Sequence, residues 1–199
     1  MAATTHLLYL HGFRSSPQSA KAQQMAHWMH THRPDVRWWC PQLPASPQEV
    51  MTLLNEGTAG WPHGTMAVIG SSLGGFFATV LAEATGCRAV VLNPAVNPAR
   101  DLAAHVGLQP SWHDPQVVID VRPEFGAHFT ALTPGPLHHP ERYFALIAKG
   151  DEVLDWREMN ARYVGAQIKL LEGGDHALSD FEHHLPDVLN FLELTPPCV

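Results

Sequence analysis

Residues 68–76 read VIGSSLGGF. Apolar residues run up to Gly70, two serines follow, and Leu73 opens a stretch of small and apolar residues that continues to residue 85. Within it, Gly70-Ser71-Ser72-Leu73-Gly74 is a G-x-S-x-G pattern in the strand–turn–helix setting the pattern requires. Such a turn is tight enough to force strained backbone angles on its central serine. Glycines two positions to either side remove the Cβ atoms that would collide where strand and helix nearly touch. Ser72 is that central serine, whereas Ser71 is flanked at the same spacing by Ile69 and Leu73. The turn is expected to lift the Ser72 hydroxyl above the carboxyl end of a sheet, over a helix N-terminus that favours negative charge. A plain Gly/Ser turn is the bland alternative, and a dinucleotide loop would need a G-x-G-x-x-G that is absent.

Outward from this stretch the chain alternates. Apolar runs at 6–10 (HLLYL), 36–40 (VRWWC), 66–70 (MAVIG), 89–93 (AVVLN), 143–148 (YFALIA) and 167–171 (QIKLL) read as strands. Most are continuously hydrophobic, which fits a parallel sheet covered on both faces. Helical patterns fill the intervals. At 17–32, Ala22, Met25, Ala26 and Met29 form one stripe, with Pro17 near the first turn. At 46–56, Ser46 is the expected N-cap, with Pro47 at N1 and Glu49 at N3. Residues 73–85, 156–164 and 179–192 complete the set. Strands alternating with helices argue an α/β fold of about six mostly parallel strands, with helices on both faces. The length suits one domain over 1–199. Residues 98–142 break the rhythm: they are rich in Pro and His and lie between the fourth and fifth strands. A stretch that long is expected to be a small cap-like insertion.

Composition narrows the function. Apolar residues make up 45% and charged residues 16%, which is globular rather than disordered. The net charge of −7 and the lack of any basic run argue against nucleic acid as a partner. No apolar run reaches the ~18 residues of a membrane span, and the start, MAATTHLLYLHGF, has no signal-peptide pattern. These features predict a soluble, cytoplasmic protein with no membrane partner. Cys40, Cys87 and Cys198 are odd in number and widely spaced, which predicts free thiols rather than a disulfide framework or zinc knuckle. Fourteen histidines are scattered without an HExxH pattern. The pairs His138–His139 and His183–His184 cannot point the same way on a strand or helix, so surface histidines are expected, with no metal.

A serine hydroxyl is a poor nucleophile without a base, and the base needs a carboxylate to fix its tautomer. After G-x-S-x-G the expected order is Ser, then Asp or Glu, then His. The fifth strand runs into Gly150-Asp151-Glu152-Val153-Leu154-Asp155. Asp151 is the favoured acid, because it follows directly on the strand. Asp155 competes, but it also suits the cap of a helix starting near Trp156, and Glu152 is a weaker candidate. The sixth strand runs into Glu172-Gly173-Gly174-Asp175-His176. Two glycines free that loop to curl toward Ser72, which makes His176 the base and Asp175 a loop-ordering or solvent-facing residue. The first strand ends in His11-Gly12-Phe13. In this architecture one oxyanion donor is the amide after the nucleophile, here Leu73, and the other comes from an early strand's loop, here Phe13. Gly12 lets the backbone approach, and His11 is expected to order the loop rather than act as a base.

Taken together, YLHGFRSSPQSAKA (9–22), PQLP (41–44), VIGSSLGGFFAT (68–79), NPAV (93–96), GDEVLD (150–155) and GGDHAL (173–178) resemble the YqiA-like esterases, a family of small bacterial α/β hydrolases. The resemblance runs the length of the chain, in the family's order, except at about 98–142. It implies a minimal α/β-hydrolase fold and esterase activity, with simple aryl esters and acyl-CoA thioesters as small-molecule substrates. It carries the nucleophile onto Ser72, the acid onto Asp151 and the base onto His176, and it implies no metal or organic cofactor. Asp175 and Leu178 stand where the family often has Asn and Phe. The chain would begin at the HG strand, without the two strands that precede it in the full fold. Two other readings stay open: an acyltransferase, and a noncatalytic relative of the same fold that serves as a binding module.

Overall fold

The computed structural model describes residues 3–195. Six strands form one parallel sheet: β1 (His6–Leu10), β2 (Arg37–Trp39), β3 (Met66–Ser71), β4 (Arg88–Leu92), β7 (Tyr143–Ala148) and β8 (Gln167–Leu171). Their order is β2-β1-β3-β4-β7-β8. The four central strands are buried along nearly their whole length, so they read as unbroken apolar runs. The edge strands β2 and β8 are partly exposed. Strand pleating sends alternate residues into two cores. Leu7, Tyr9, Ile69, Leu92 and Phe144 pack under α1 (Ala20–His32) and α7 (Phe181–Phe191). Leu8, Leu10, Val68, Val91 and Ile147 pack under α2 (Pro47–Thr58), α3 (Leu73–Thr85) and α6 (Trp156–Arg162). Fold class and sheet match the sequence reading.

Several boundaries differ from it. The helix expected over 17–32 begins at Ala20, with Ser19 as N-cap. Residues 15–18 instead form turns, in which Ser16 Oγ accepts from Gln18 N at 3.1 Å and Ser16 O from Ser19 N at 3.0 Å. Ser46 caps α2 as expected, its hydroxyl accepting from Glu49 N.

Residues 98–142 carry elements of their own. A short α4 (Pro98–Asp101) leads into an antiparallel hairpin of β5 (Gly107–Pro110) and β6 (Val118–Val121), followed by α5 (Phe125–Leu132). Phe129 of α5 packs edge-on against Phe76 and tilted against Phe77 of α3, and Phe125 joins the same core, which fixes this helix to the body. The hairpin joins the same core only at β6, where Val121 is buried and Ile119 packs against it, while Leu108, Val117 and Val118 lie exposed.

The topology places the site. From β1 the chain moves outward to β2, then returns past β1 to β3 and continues in the other direction. The order therefore reverses between β1 and β3, and the crevice outside the carboxyl ends of such a pair is where open parallel sheets bind ligands. Leu10 is in register with Gly70, so the HG loop and the G-x-S-x-G turn emerge side by side.

Candidate active site

Ser72 sits between β3 and α3 with φ 54° and ψ −120°, a strained conformation for a residue with a side chain. Its neighbours enforce it. A Cβ at Gly74 would lie 2.1 Å from Leu10 O, and one at Gly70 would lie 2.2 Å from Gly74 O, so neither position accepts any residue but glycine. Ser72 N donates to Leu92 O at 2.9 Å, and Ser72 O accepts from Ala95 N at 3.0 Å, which pins the turn to the end of β4.

Ser72 Oγ lies 2.9 Å from His176 Nε2, and His176 Nδ1 lies 2.7 Å from Asp151 Oδ2. A carboxylate can only accept, so Nδ1 carries the ring proton and Nε2 accepts from the Ser72 hydroxyl. The Asp151 side chain is fully buried. Its second oxygen accepts from Val153 N and Leu154 N, both at 2.8 Å, so the turn after β7 holds the carboxylate on its far side. The structure therefore brings together the three side chains singled out in the sequence, from three different strand ends. It separates their competitors. Asp155 caps α6 through Arg157 N. Glu152 accepts from the backbone N of His176 at 3.0 Å and so holds the loop rather than the ring. Asp175 accepts from Ser179 N and Oγ, and these bonds hold its carboxyl below the usual range.

Gly12 lies against Ser72, where an added Cβ would stand 3.2 Å from Ser72 Cβ. Phe13 and Leu73 border the same cleft as Ser72 and His176. Leu73 is the first residue of α3, and the first amides of a helix have no partner within it. His11 is buried, donates from Nδ1 to Gly12 O at 3.0 Å and accepts at Nε2 from Leu43 N at 3.0 Å. Burial lowers its pKa, and both nitrogens are spent on backbone, so it orders the loop.

Asn93, which the sequence reading took only as the end of a strand, is central to the site. It is fully buried with φ 41°. Its amide nitrogen donates to Asp175 O at 3.0 Å and His176 O at 3.2 Å, and its carbonyl accepts from Ala148 N at 2.8 Å. One side chain thus ties β4, the strand before Asp151 and the loop bearing His176. The available signal was an Asn-Pro at a strand end, since Asn tolerates positive φ better than other side chains.

A cleft of about 560 Å³ opens over Ser72 and His176. The insertion contributes Leu102, His105 and Trp112 to its wall, and the loop after β7 contributes Val153 and Leu154. Of the histidines expected at the surface, His184 is instead buried. Among the described residues no cluster of three or more His, Cys, Asp or Glu is placed to hold a metal ion. No helix there is long and apolar enough to cross a membrane. Cys40 and Cys87 are free, with burial raising their thiols to about 12 and about 11, and Cys198 lies outside the described residues.

Residues 6–193 match the model of a family described as uncharacterised protein family UPF0227. The chain belongs to the UPF0227 family. Solved structures of other proteins share its architecture. Mouse alpha/beta hydrolase domain-containing protein 10 superposes with a TM-score of 0.70 at 14% identity, covering 96% of this chain and 92% of the mouse one. A structure described under the metagenome-derived lipolytic enzymes LipS and LipT gives 0.65 at 16% identity, covering 98% and 96%. The Pyrococcus furiosus esterase Pf2001 gives 0.61 at 16% identity, covering 96% and 81%. At such identities the likeness is one of fold, and this UPF0227 chain has the α/β-hydrolase fold.

Proposed function

We propose that the protein is a serine hydrolase that cleaves carboxylic esters, and acyl-CoA thioesters, through an acyl-enzyme on Ser72. The observation that carries this reading is His176, which spans Ser72 Oγ at 2.9 Å and Asp151 Oδ2 at 2.7 Å at the mouth of a cleft. A binding module has no use for a serine, imidazole and buried carboxylate bonded in series on a strained turn. The esterase and lipolytic enzymes among proteins of the same fold support it.

In the reaction, Ser72 Oγ attacks the acyl carbon as its proton passes to His176 Nε2. Asp151 stabilises the imidazolium through Nδ1–H. Negative charge gathers on the former carbonyl oxygen, which the Leu73 and Phe13 amides receive. Each such donor typically supplies ~2.7–4 kcal/mol. The carbon–oxygen or carbon–sulfur bond breaks as His176 protonates the leaving group. Water, deprotonated by the same nitrogen, then releases the acid and restores Ser72.

The test is hydrolysis of a series of p-nitrophenyl esters and acyl-CoAs, with Ser72→Ala as control and fluorophosphonate labelling alongside. Wild type is expected to turn over and to label, and the variant to lose activity by ~10⁵-fold or more while remaining folded. An inert, unlabelled wild type would overturn the hydrolase reading in favour of a binding module. Acyl transfer to an added alcohol in preference to water would favour an acyltransferase.

A further inference from the structure

The charges lining the cleft differ in sign from those of the chain. The protein carries a net −7, yet the acid that borders the cleft is already paired. Asp101 is bonded to Arg100 at 2.7 Å, and Arg100 also holds Glu158. Asp151, fully buried against His176, does not border the cleft. Two cations remain on the wall, Lys21 and Arg14. Arg14 donates from Nε to Pro110 O at 2.6 Å, and its guanidinium lies 3.8 Å above the Trp112 ring. Lys21, on the first turn of α1, donates to Ala177 O, the carbonyl directly after His176. Asp175 attracts it, but the Asp175 carboxylate accepts from Ser179 N and Oγ and makes no direct ion pair with Lys21. Among the described residues neither Lys21 nor Arg14 belongs to an ion pair.

Lys21 is only partly exposed. Burial lowers its pKa to about 8, against the pull of Asp175, so it is mostly ammonium at neutral pH. An ammonium has three donors, and one goes to Ala177 O. A half-buried cation with spare donors and no directly bonded counter-ion gains when an anion arrives with the ligand. Here it stands one residue from the base, within the space a substrate would fill.

We propose that the substrate is an ester or thioester bearing an anionic group, a carboxylate or a phosphate, which pairs with Lys21 while the acyl carbon sits at Ser72. This rests on the hydrolase reading above and names its substrate class. Arg14 borders the same cleft and adds to the attraction. The anion belongs either to the acyl chain or to the leaving group, and the two are separable by experiment.

The measurement is kcat/KM for two matched pairs of esters. One pair places the charge on the acyl side: p-nitrophenyl hemiglutarate against p-nitrophenyl hexanoate. The other places it on the leaving group: 4-acetoxybenzoate against its methyl ester. Wild type is expected to favour the anionic member of one pair by about tenfold or more, which also identifies the charged end. Lys21→Gln keeps a donor for Ala177 O but no charge, and is expected to lose the preference; Lys21→Arg is expected to keep it. Taking the ratio within each variant cancels any general damage to the His176 loop. Equal rates on both members of both pairs by wild type would overturn the proposal even if no variant folds. A preference that survives in Lys21→Gln would overturn the role of Lys21. If wild type cleaves none of the four esters and resists fluorophosphonate, the hydrolase reading itself falls and this inference falls with it.

Discussion

The rim of the sheet and the insertion above it are held in different ways. At the rim, backbone is gripped on every side. Ser72 is wedged by glycines whose Cβ atoms would strike main chain at about 2 Å. The backbone N of His176 is held by Glu152, its O by Asn93, and Ala177 O by Lys21. Between β4 and β7, α5 is packed into the core, and the hairpin reaches it at its β6 end through Val121 and Ile119. The turn of the β5–β6 hairpin meets the body at Arg14, which bonds Pro110 O, stacks on Trp112 and accepts from Trp112 N at 2.9 Å. Leu108 and Trp112 are 73% and 67% exposed. The lesson is that reacting groups are over-determined by short backbone contacts, while the surface that meets the substrate rests on a few adaptable ones. Interactions at the rim should therefore govern kcat and stability together, and those in the hairpin KM alone.

Asn93 gives the sharpest break of that comparison. Asn93→Ala leaves Ala148 N, in a buried place, and His176 O, in a half-buried one, without their partner, while Asp175 O keeps its bond from Leu178 N. An unsatisfied buried group costs about 1–3 kcal/mol, and alanine is strained at φ 41°. Stability should fall by about 3 kcal/mol or more, seen in the urea midpoint, and kcat by ~10²-fold as His176 shifts from Ser72. Asn93→Gly relieves the backbone but restores no hydrogen bond, so it should recover at most ~1–2 kcal/mol and no activity. A stable, active Asn93→Ala would show that the rim does not depend on this tie.

What the sequence made legible follows the same division. The elbow was readable because its constraint is local: Gly70, Ser72 and Gly74 must lie at fixed spacing. Asp151 and His176 were readable because each follows a strand end within a few residues. Asn93 was not, because its importance comes from carbonyls about 80 residues away, and nothing in the NPAV stretch announces them. Helix α1 started late because Ser16 and its neighbours satisfy one another in turns, a choice that propensity does not reveal. The hairpin was invisible because its strands are short, exposed on one side, and turn only two apolar residues, Ile119 and Val121, inward.

His11 offers a pH test of the rim. Burial lowers its pKa, so the unfolded chain takes a proton near the ordinary 6.5 while the folded protein still refuses it. The unfolded state then binds more protons and stability falls as pH falls. The contribution is intact above about 6.5 and declines by up to about 1.4 kcal/mol per pH unit below it. Protonation would also cost the ring its bond from Leu43 N. The urea midpoint should drop between pH 7 and pH 5, and His11→Gln should flatten that slope, though it lowers stability at pH 7. An unchanged slope in the variant would mean that the loop admits the proton without opening.

Trp112 tests the other half. Its stacking with Arg14 is exposed, and such a contact is worth about 0.5–1 kcal/mol. Trp112→Ala should therefore shift the urea midpoint less than either rim variant. Its indole borders the cleft, so KM for esters with longer apolar chains should rise severalfold as contact area is lost. Because Ser72, His176 and Asp151 take no support from the hairpin, kcat for a short ester such as p-nitrophenyl acetate should stay within about twofold. The informative failure is a Trp112→Ala enzyme that loses kcat on the acetate as Asn93→Ala does. Arg14 lies two residues from Gly12, at φ 59°, and such a loss would mean that the hairpin, through Arg14, helps to fix the loop that bears Gly12 beside Ser72. The insertion would then be part of the rim's own scaffold rather than an adaptable cover over it.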